Sequence, residues 1–232
     1  MLGAAETSWN SGEAGQGKPA TTPGATAAAS DFWRRVERFA PGAQVEHVPN
    51  RDILAIVLSG WGCEMRVLRD GRRQIFSILL PGDRVYLRAG HNMASVALVA
   101  LTRMEIAETT IPTGEPGLSP STPELVQTLR LQAERQFDHM VRLGSLNTSE
   151  RIIHLLLELH TRLSAIGLVK LNTFRIPLTQ ELIASVLGTS VVHINRTLQQ
   201  LRKQGLITLK SGSVTLHDVE RLSLMCGYRA KV

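Results

Sequence analysis

The stretch LTQELIASVLGTSVVHINRTLQQLRKQ, Leu178–Gln204, decides how the rest of the chain is read. Thr179 stands where a hydroxyl can satisfy an orphan amide in the first turn of a short helix, Gln180–Leu187. Leu182, Ile183, Val186 and Leu187 give that helix one apolar face. Gly188 suits the left-handed position that ends a helix, and Ser190 can cap a second helix from Val191 to about Gln204. On this second helix Ile194, Leu198 and Leu201 recur at i, i+4 and i+7. Val192, Arg196, Gln199 and Lys203 fall on the opposite stripe, with His193 and Asn195 flanking it. One face is thus anchored in a small core, while the other presents polar side chains with Val191 and Val192 at its leading end. A helix lying in a DNA major groove requires that division of labour. A helical hairpin with a packing role alone would share the helix–Gly–helix pattern. The residues after Gln204 favour the DNA reading. Leu206–Leu209 and Val214–Leu216 alternate like two strands, and Lys210-Ser211-Gly212-Ser213 joins them as the tip of a wing.

The charge balance agrees with a polyanionic partner. The chain has 232 residues, 43% of them hydrophobic, enough for two modest domains, and a net charge of +6. Between Arg175 and Val232 eight Lys/Arg face three Asp/Glu, so the final quarter carries a net +5. The two cysteines, Cys63 and Cys226, form no CxxC pair, which argues against a disulfide framework or a zinc knuckle. No apolar run approaches the roughly 20 residues that span a bilayer, and the N-terminus lacks the basic start and apolar core of a secretory signal. A cytoplasmic protein without membrane partners is expected.

Residues 1–29 are rich in Gly, Ala, Ser and Thr with almost nothing to bury, and are expected to be a disordered tail. Ser30-Asp31 can cap a short helix carrying Phe32, Trp33 and Val36. From Phe39 to about Ile111 the pattern is β. Ile53–Leu58 is an apolar run of strand length, and Trp61, Cys63, Met65 and Val67 alternate with Gly62, Glu64 and Arg66. Asp70-Gly71 marks a hairpin, Gln74–Leu80 is its return strand, and Pro81-Gly82-Asp83 turns the chain again. Ser95–Leu101 and Met104–Thr109 read as a further strand pair. Short antiparallel strands at this spacing point to a sandwich or β-roll.

Pro112–Pro123 is a linker crowded with proline and glycine. Thr122-Pro123-Glu124 then supplies a capping hydroxyl, a proline at the first helical position and an acid in the first turn. Val126, Leu129, Ala133, Gln136, Met140 and Leu143 fit alternating a and d positions of a heptad. An amphipathic helix lying on the β-roll would show the same pattern as one that pairs with its twin. Asn147 with Glu150 forms a capping box for the next helix, in which Ile153, Leu156, Leu157, Leu159 and Leu163 supply the buried side and after which Gly167 ends the run. A short helix from Asp218 through Leu222 closes the chain, with Cys226 beyond it.

Several of these motifs resemble the Crp/Fnr family of transcription regulators. In the C-terminal part they are Leu178-Thr179-Gln180-Glu181, Gly188-Thr189-Ser190, Asn195-Arg196-Thr197-Leu198, Leu201 and Gly205-Leu206-Ile207. In the β part they are Val57-Leu58-Ser59-Gly60-Trp61, Arg69-Asp70-Gly71-Arg72-Arg73-Gln74-Ile75 and Leu79-Leu80-Pro81-Gly82-Asp83. The order β-roll, long helix, winged domain covers most of residues 39–225 and is more specific than any single motif. The resemblance implies an α+β chain with an N-terminal antiparallel, jelly-roll-like β-roll, a long dimerisation helix and a C-terminal winged helix-turn-helix. The corresponding boundaries are a sensor-like β-roll with linker over 30–121, the dimer helix over 122–145 and the DNA-binding domain over 146–232. It also implies a homodimer on pseudo-palindromic double-stranded DNA, with RNA polymerase as a further partner. Gln136 at a d position would then fix register at some cost in stability.

Base readout is expected from Arg196, whose guanidinium can bond a guanine bidentately and which matches a family arginine, together with Val191, Val192, Asn195 and Gln199. Family members usually carry polar readers where this chain has the two valines; valine methyls can pack on a thymine methyl instead. Phosphate contacts are expected from Thr179, Thr189, Ser190, His193, Lys203 and Lys210. The family's short amphipathic helix near the linker is not legible here. Some relatives bind a cyclic nucleotide through Gly-Glu and Arg-Ser pairs. Alignment through Ala100-Leu101-Thr102 and Glu105-Ile106-Ala107 puts Tyr86-Leu87 and Ala94-Ser95 at those places, so the cyclic phosphate would lose its arginine. Two cysteines cannot ligate an iron–sulfur cluster, and no cofactor or metal is expected; Cys63 reads as a buried strand residue rather than a redox sensor. The effector is not named by the sequence. Two other classes compete: a DNA-bending architectural protein of low specificity, and, more remotely, a cupin-like enzyme, for which His47 and His91 are too isolated to hold a metal.

Overall fold

The structure, a computed structural model, describes residues 33, 35–45, 52–87, 96–111 and 123–230. The expected tail, the Ser30-Asp31 cap, the Pro112–Thr122 linker and the positions of His47, His91 and Ala94-Ser95 lie outside them. Eight strands build the β-roll: β1 (Arg35–Phe39), β2 (Gln44–Val45), β3 (Asp52–Ser59), β4 (Gly62–Val67), β5 (Arg73–Leu79), β6 (Arg84–Leu87), β7 (Ala97–Ala100) and β8 (Met104–Ile111). They form two antiparallel four-stranded sheets, ordered β1-β8-β3-β6 and β2-β7-β4-β5. Val45, Val57, Leu79, Val85, Leu98, Ala100, Met104 and Ile106 fill the space between them. The turn from β3 to β4 depends on Gly60. Its φ is +81°, and a Cβ there would collide with the Arg103 carbonyl oxygen.

Two expectations are corrected here. Val36 lies in a strand, not a helix: β1 pairs with β8 in the register Arg35↔Glu108 to Phe39↔Met104. Arg38 Nε donates to Glu105 Oε1 at 2.7 Å across that pair, a cross-strand partner invisible to local cap signals. Ser95–Leu101 and Met104–Thr109 give strands, but these do not pair with each other. β7 joins β2 and β4 while β8 joins β1 and β3, so the short connection between them crosses from sheet to sheet.

Five helices follow: α1 (Pro123–Ser145), α2 (Thr148–Ala165), α3 (Gln180–Leu187), α4 (Val191–Lys203) and α5 (Val219–Cys226). Three further strands, β9 (Thr173–Arg175), β10 (Ile207–Lys210) and β11 (Ser213–Leu216), form the winged sheet in the order β10-β11-β9. The capping box at α2 is complete, with Glu150 N donating to Asn147 Oδ1 and Asn147 N to Glu150 Oε2. None of the described helices is long and apolar enough to cross a membrane.

α1 has two faces. One buries Leu125, Thr128, His139 and Arg142 against the β-roll and α2, with Leu125 docking on Leu54, Trp33 and Tyr86. At about 100° per residue, Phe137 lies diametrically opposite, with Val126, Ala133 and Met140 to one side of it. Phe137 is 61% exposed, Met140 57% and Val126 55%.

A ladder of charges joins the β-roll to α1 and α2. Asp83, in the turn after β5, accepts from Arg135 Nη2 at 2.6 Å and pairs with Arg162. Arg162 Nη1 also donates to Glu158 Oε1 at 2.8 Å and its Nη2 to the Ile78 carbonyl at 2.7 Å. Glu158 in turn pairs with Arg142, which is almost wholly buried. Arg142 Nε lies 3.3 Å from His154 Nδ1, and Arg142 Nη1 3.5 Å from His139 Nδ1. A guanidinium only donates, so it holds both imidazoles as neutral acceptors at Nδ1. Burial of Glu158 favours its neutral form, yet Arg142 and Arg162 outweigh that and hold its carboxyl at about 2.

The histidines make stability pH-dependent. Burial, reinforced by the Arg142 charge and opposed by Glu158, lowers His139 and His154 from 6.5 to about 4. Both are neutral in the fold but protonate in the unfolded chain near pH 6.5, so stability is complete above that pH. It is lost as pH falls from 6.5 towards 4, by at most roughly 3 kcal/mol per histidine. Melting temperature followed by circular dichroism should drop steeply between pH 7 and pH 5. A flat profile there would show that neither imidazole is held neutral.

Candidate nucleic-acid interface

The helix-turn-helix forms at the residues its sequence specifies. Thr179 Oγ1 accepts from Leu182 N and Ser190 Oγ from His193 N, each at 3.2 Å, capping α3 and α4. Gly188 sits at φ 61°, ψ 38°, and its amide donates to the Ala184 carbonyl. Ile194, Leu198 and Leu201 are buried against α2, α3 and the wing, and Thr197 joins them by returning its hydroxyl to the His193 carbonyl at 2.8 Å.

The opposite face is open. Val191, Val192, His193, Asn195, Arg196, Gln199 and Lys203 are all exposed, Val192 to 80%. No acidic residue stands anywhere on α4, so nothing on the helix opposes an anion. Gln199 Nε2 donates to Asn195 Oδ1 at 3.1 Å, which leaves the Asn195 amide as donor and the Gln199 carbonyl as acceptor towards solvent. Thr179 and Ser190 use their oxygens as acceptors for the caps; the Thr179 hydroxyl also donates to the Glu181 carboxylate, while the Ser190 hydroxyl proton stays available to a phosphate oxygen. Thr189 is half-buried in the turn between the helices, and Lys210 is exposed at the end of β10.

The wing turns through Ser211 and Gly212, at φ 48° and 74°, the two-residue turn whose twist matches its strands. The third strand, β9, is not anticipated from the sequence. It carries exposed Arg175 opposite Ser213, placing a further cation beside the wing tip. The signal was the short alternation Thr173-Phe174-Arg175, in which Phe174 is buried. Arg151 is a second residue that sequence reasoning missed. Its guanidinium donates to the carbonyls of Leu143 and Leu146, both at 2.7 Å, and of Leu187 at 3.3 Å. It satisfies orphan carbonyls at the ends of α1 and α3 and so fixes the reading head to the long helix.

The β-roll offers less. Tyr86, expected near a nucleotide-binding position, donates its hydroxyl to Asp52 and packs beside Leu54 and Leu125. Cys63 is fully buried, and burial, with a smaller push from Glu64 against a pull from Arg73, raises its thiol to about 12. A thiol held so firmly protonated is not a reactive sensor. Among the described residues no group of three His, Cys, Asp or Glu side chains is placed to hold a metal ion.

Residues 150–225 match the Crp-like helix-turn-helix domain family. The chain is 31% identical over 175 residues to the nitrogen fixation regulation protein FixK of Bradyrhizobium diazoefficiens, covering 73% of this chain and 72% of that one. It is 30% identical over 181 residues to the transcriptional activator protein FnrL of Cereibacter sphaeroides, covering 74% and 71%. Its fold matches the structure of FixK2 from Bradyrhizobium japonicum with a TM-score of 0.69 at 22% identity, over 84% of this chain and 98% of the other. One relative is named a nitrogen fixation regulator and the other a transcriptional activator, so the similarity points to regulators and not to a cupin-like enzyme. With a capped reading helix, a wing and a β-roll in the order the motifs require, the chain belongs to the Crp/Fnr family of DNA-binding transcription regulators.

Proposed function

We propose that the protein works as a homodimer in which each α4 reads one half of a pseudo-palindromic site. Residues 30–121 would serve as the sensor-like part, 122–145 as the dimer helix and 146–232 as the reading domain. The observation that carries the reading is the acid-free, exposed outer face of α4 on a fully buried inner stripe. Arg196 contacts a base, with Val191, Val192, Asn195 and Gln199 beside it; Thr179, Thr189, Ser190, His193, Lys203 and Lys210 contact phosphates. The dimer forms through Val126, Leu129, Ala133, Gln136 and Met140 of α1. Phe137 belongs at the centre of this face, whereas Leu143 is half-buried near Gly188 and contributes at its margin. RNA polymerase is the further partner. Cyclic nucleotide is not the effector: the Tyr86 hydroxyl is already committed to Asp52. Calorimetric titration with cyclic AMP and cyclic GMP should show no specific heat, and micromolar affinity for either would refute this point.

The test separates reading from anchoring. Arg196 lies nearer the leading end of α4 than Lys203. Arg196→Ala should cost roughly 1–3 kcal/mol per half-site and relax preference at one base pair. Lys203→Ala should weaken all sequences alike and flatten the dependence of log affinity on log salt by about one unit per phosphate. Sites selected from random DNA, and their single-base-pair variants, supply the substrates. Equal loss on every sequence for Arg196→Ala would move base reading to Val191, Val192 and Asn195, or to DNA shape.

A further inference from the structure

The hairpin between β4 and β5 carries more charge than its turn needs. Arg66, Arg69, Arg72 and Arg73 are exposed on it, with Asp70 as the only acid between Arg66 and Gln74. Asp70 is engaged by the turn itself: its Oδ1 accepts from Arg72 N at 3.0 Å and its Oδ2 from Arg72 Nε at 2.7 Å. Arg66 lies over the Phe76 ring, 6.0 Å from its centroid. Arg69 and Arg73 have no acidic partner among the described residues. Unpaired like charges on a two-stranded ribbon repel one another, so the fold gains nothing from them.

The position of the hairpin gives these charges a use. α3 packs on β5, and Gln74 Nε2 lies 3.4 Å from the Val186 carbonyl oxygen near the end of α3. Gln74 Oε1 is 3.8 Å from where a Cβ of Gly188 would stand, at the start of the turn that holds Thr189 and Ser190. Arg66 faces Gln74 across the ribbon, and Val67 faces Arg73. At about 3.3 Å per strand residue, Arg73 and Arg72 begin within roughly 7 Å of that contact. The basic ribbon therefore starts beside the turn that leads into α4, next to the hydroxyls of Thr189 and Ser190.

We propose that the β4–β5 hairpin is a second DNA contact, contributed by the β-roll, which neutralises duplex phosphates beside the half-site through Arg69 and Arg73 without reading sequence. The proposal rests on α4 being the reading helix. It makes the β-roll a direct partner of the DNA, so that a movement of the β-roll against the reading head would change affinity without touching α4.

The test measures duplex affinity against salt for the full chain, for Arg69→Gln with Arg73→Gln, and for the charge-retaining Arg69→Lys with Arg73→Lys. Each protein is titrated with its selected site and with a random duplex. The glutamine variant should flatten the log–log salt slope by about one unit for each phosphate left without its arginine, on both duplexes equally. Its affinity at 0.15 M salt should fall roughly tenfold with an unchanged ratio of selected to random binding. The lysine variant should restore most of the slope, and unchanged melting temperatures would show that both variants fold. An unchanged slope in the glutamine variant overturns the proposal, whether or not transcription is lost. Loss of transcription with intact DNA binding would assign the arginines to a protein contact instead. If Arg196→Ala alone still loses site preference, the reading by α4 stands while the hairpin contact falls.

Discussion

Replacing Glu158 by glutamine is expected to remove about 3–5 kcal/mol of folding stability, the cost of leaving a buried charge without its partner. Arg142, 3% exposed, would face only neutral acceptors, the two imidazoles and one amide oxygen, with no anion to match its charge. Arg162 would keep Asp83, while the single amide oxygen could serve only one of the two guanidiniums that Glu158 now serves. A domain pair of this size rests on a margin of about 5–15 kcal/mol, so the loss would be a large share of it. Urea unfolding at pH 7.5 reads it as a shift in midpoint at constant slope. The double replacement Arg142→Met with Glu158→Met should recover much of the loss, because a hydrophobic pair avoids the cost of desolvating two ions. A loss under about 1 kcal/mol for Glu158→Gln, the range of exposed pairs, would mean that water reaches the ladder and screens it.

The second large effect concerns the outer face of α1. Phe137→Asp together with Met140→Asp should give a monomer and cut affinity for a two-half-site duplex on the order of a hundredfold or more, since linked half-sites reinforce each other. The monomer's fold should survive, because both side chains point away from the buried stripe of Leu125, Thr128, His139 and Arg142. Sedimentation velocity reads the assembly and a fluorescence titration the affinity. A variant that still sediments as a dimer would place the interface off α1.

What was legible in the chain was local. Thr179, Gly188, Ser190, Asn147 and Asp70-Gly71 set their caps and turns at the residues named, because each satisfies a backbone group within four residues of itself. What was hidden depends on partners far along the chain. The two-residue strand β2 exists only through β7, and β1 only through β8, whose Glu105 and Glu108 meet Arg38 and Arg35. The heptad reading named Gln136 and passed over Phe137; both are exposed on α1, and the exposure of an aromatic there was not legible from the a and d spacing. Of the charge ladder only Glu158 and Arg162, four apart on one helix, are local; Asp83 and Arg162 are 79 residues apart. The bounds, cap and buried stripe of α4 were legible, while Arg151 and Arg175 came into view only once carbonyl ends and a third wing strand were placed.

Trp61, Cys63, Met65, Ile75 and Ile78 of the β-roll share one apolar cluster with Leu155, Leu156, Leu159, Ile183 and Leu187 of the reading head. The two lobes are therefore not beads on a string. A polypeptide cut at Asn147 to yield the reading head alone would bring the α2 and α3 side of this cluster into water, a greasy surface with a strong tendency to self-associate. Hydrogen exchange should protect the amides of β5 and α2 to the same degree, as parts of one cooperative unit. Whatever loosens the β-roll then reaches the DNA-binding lobe as lost stability, with no separate messenger between them.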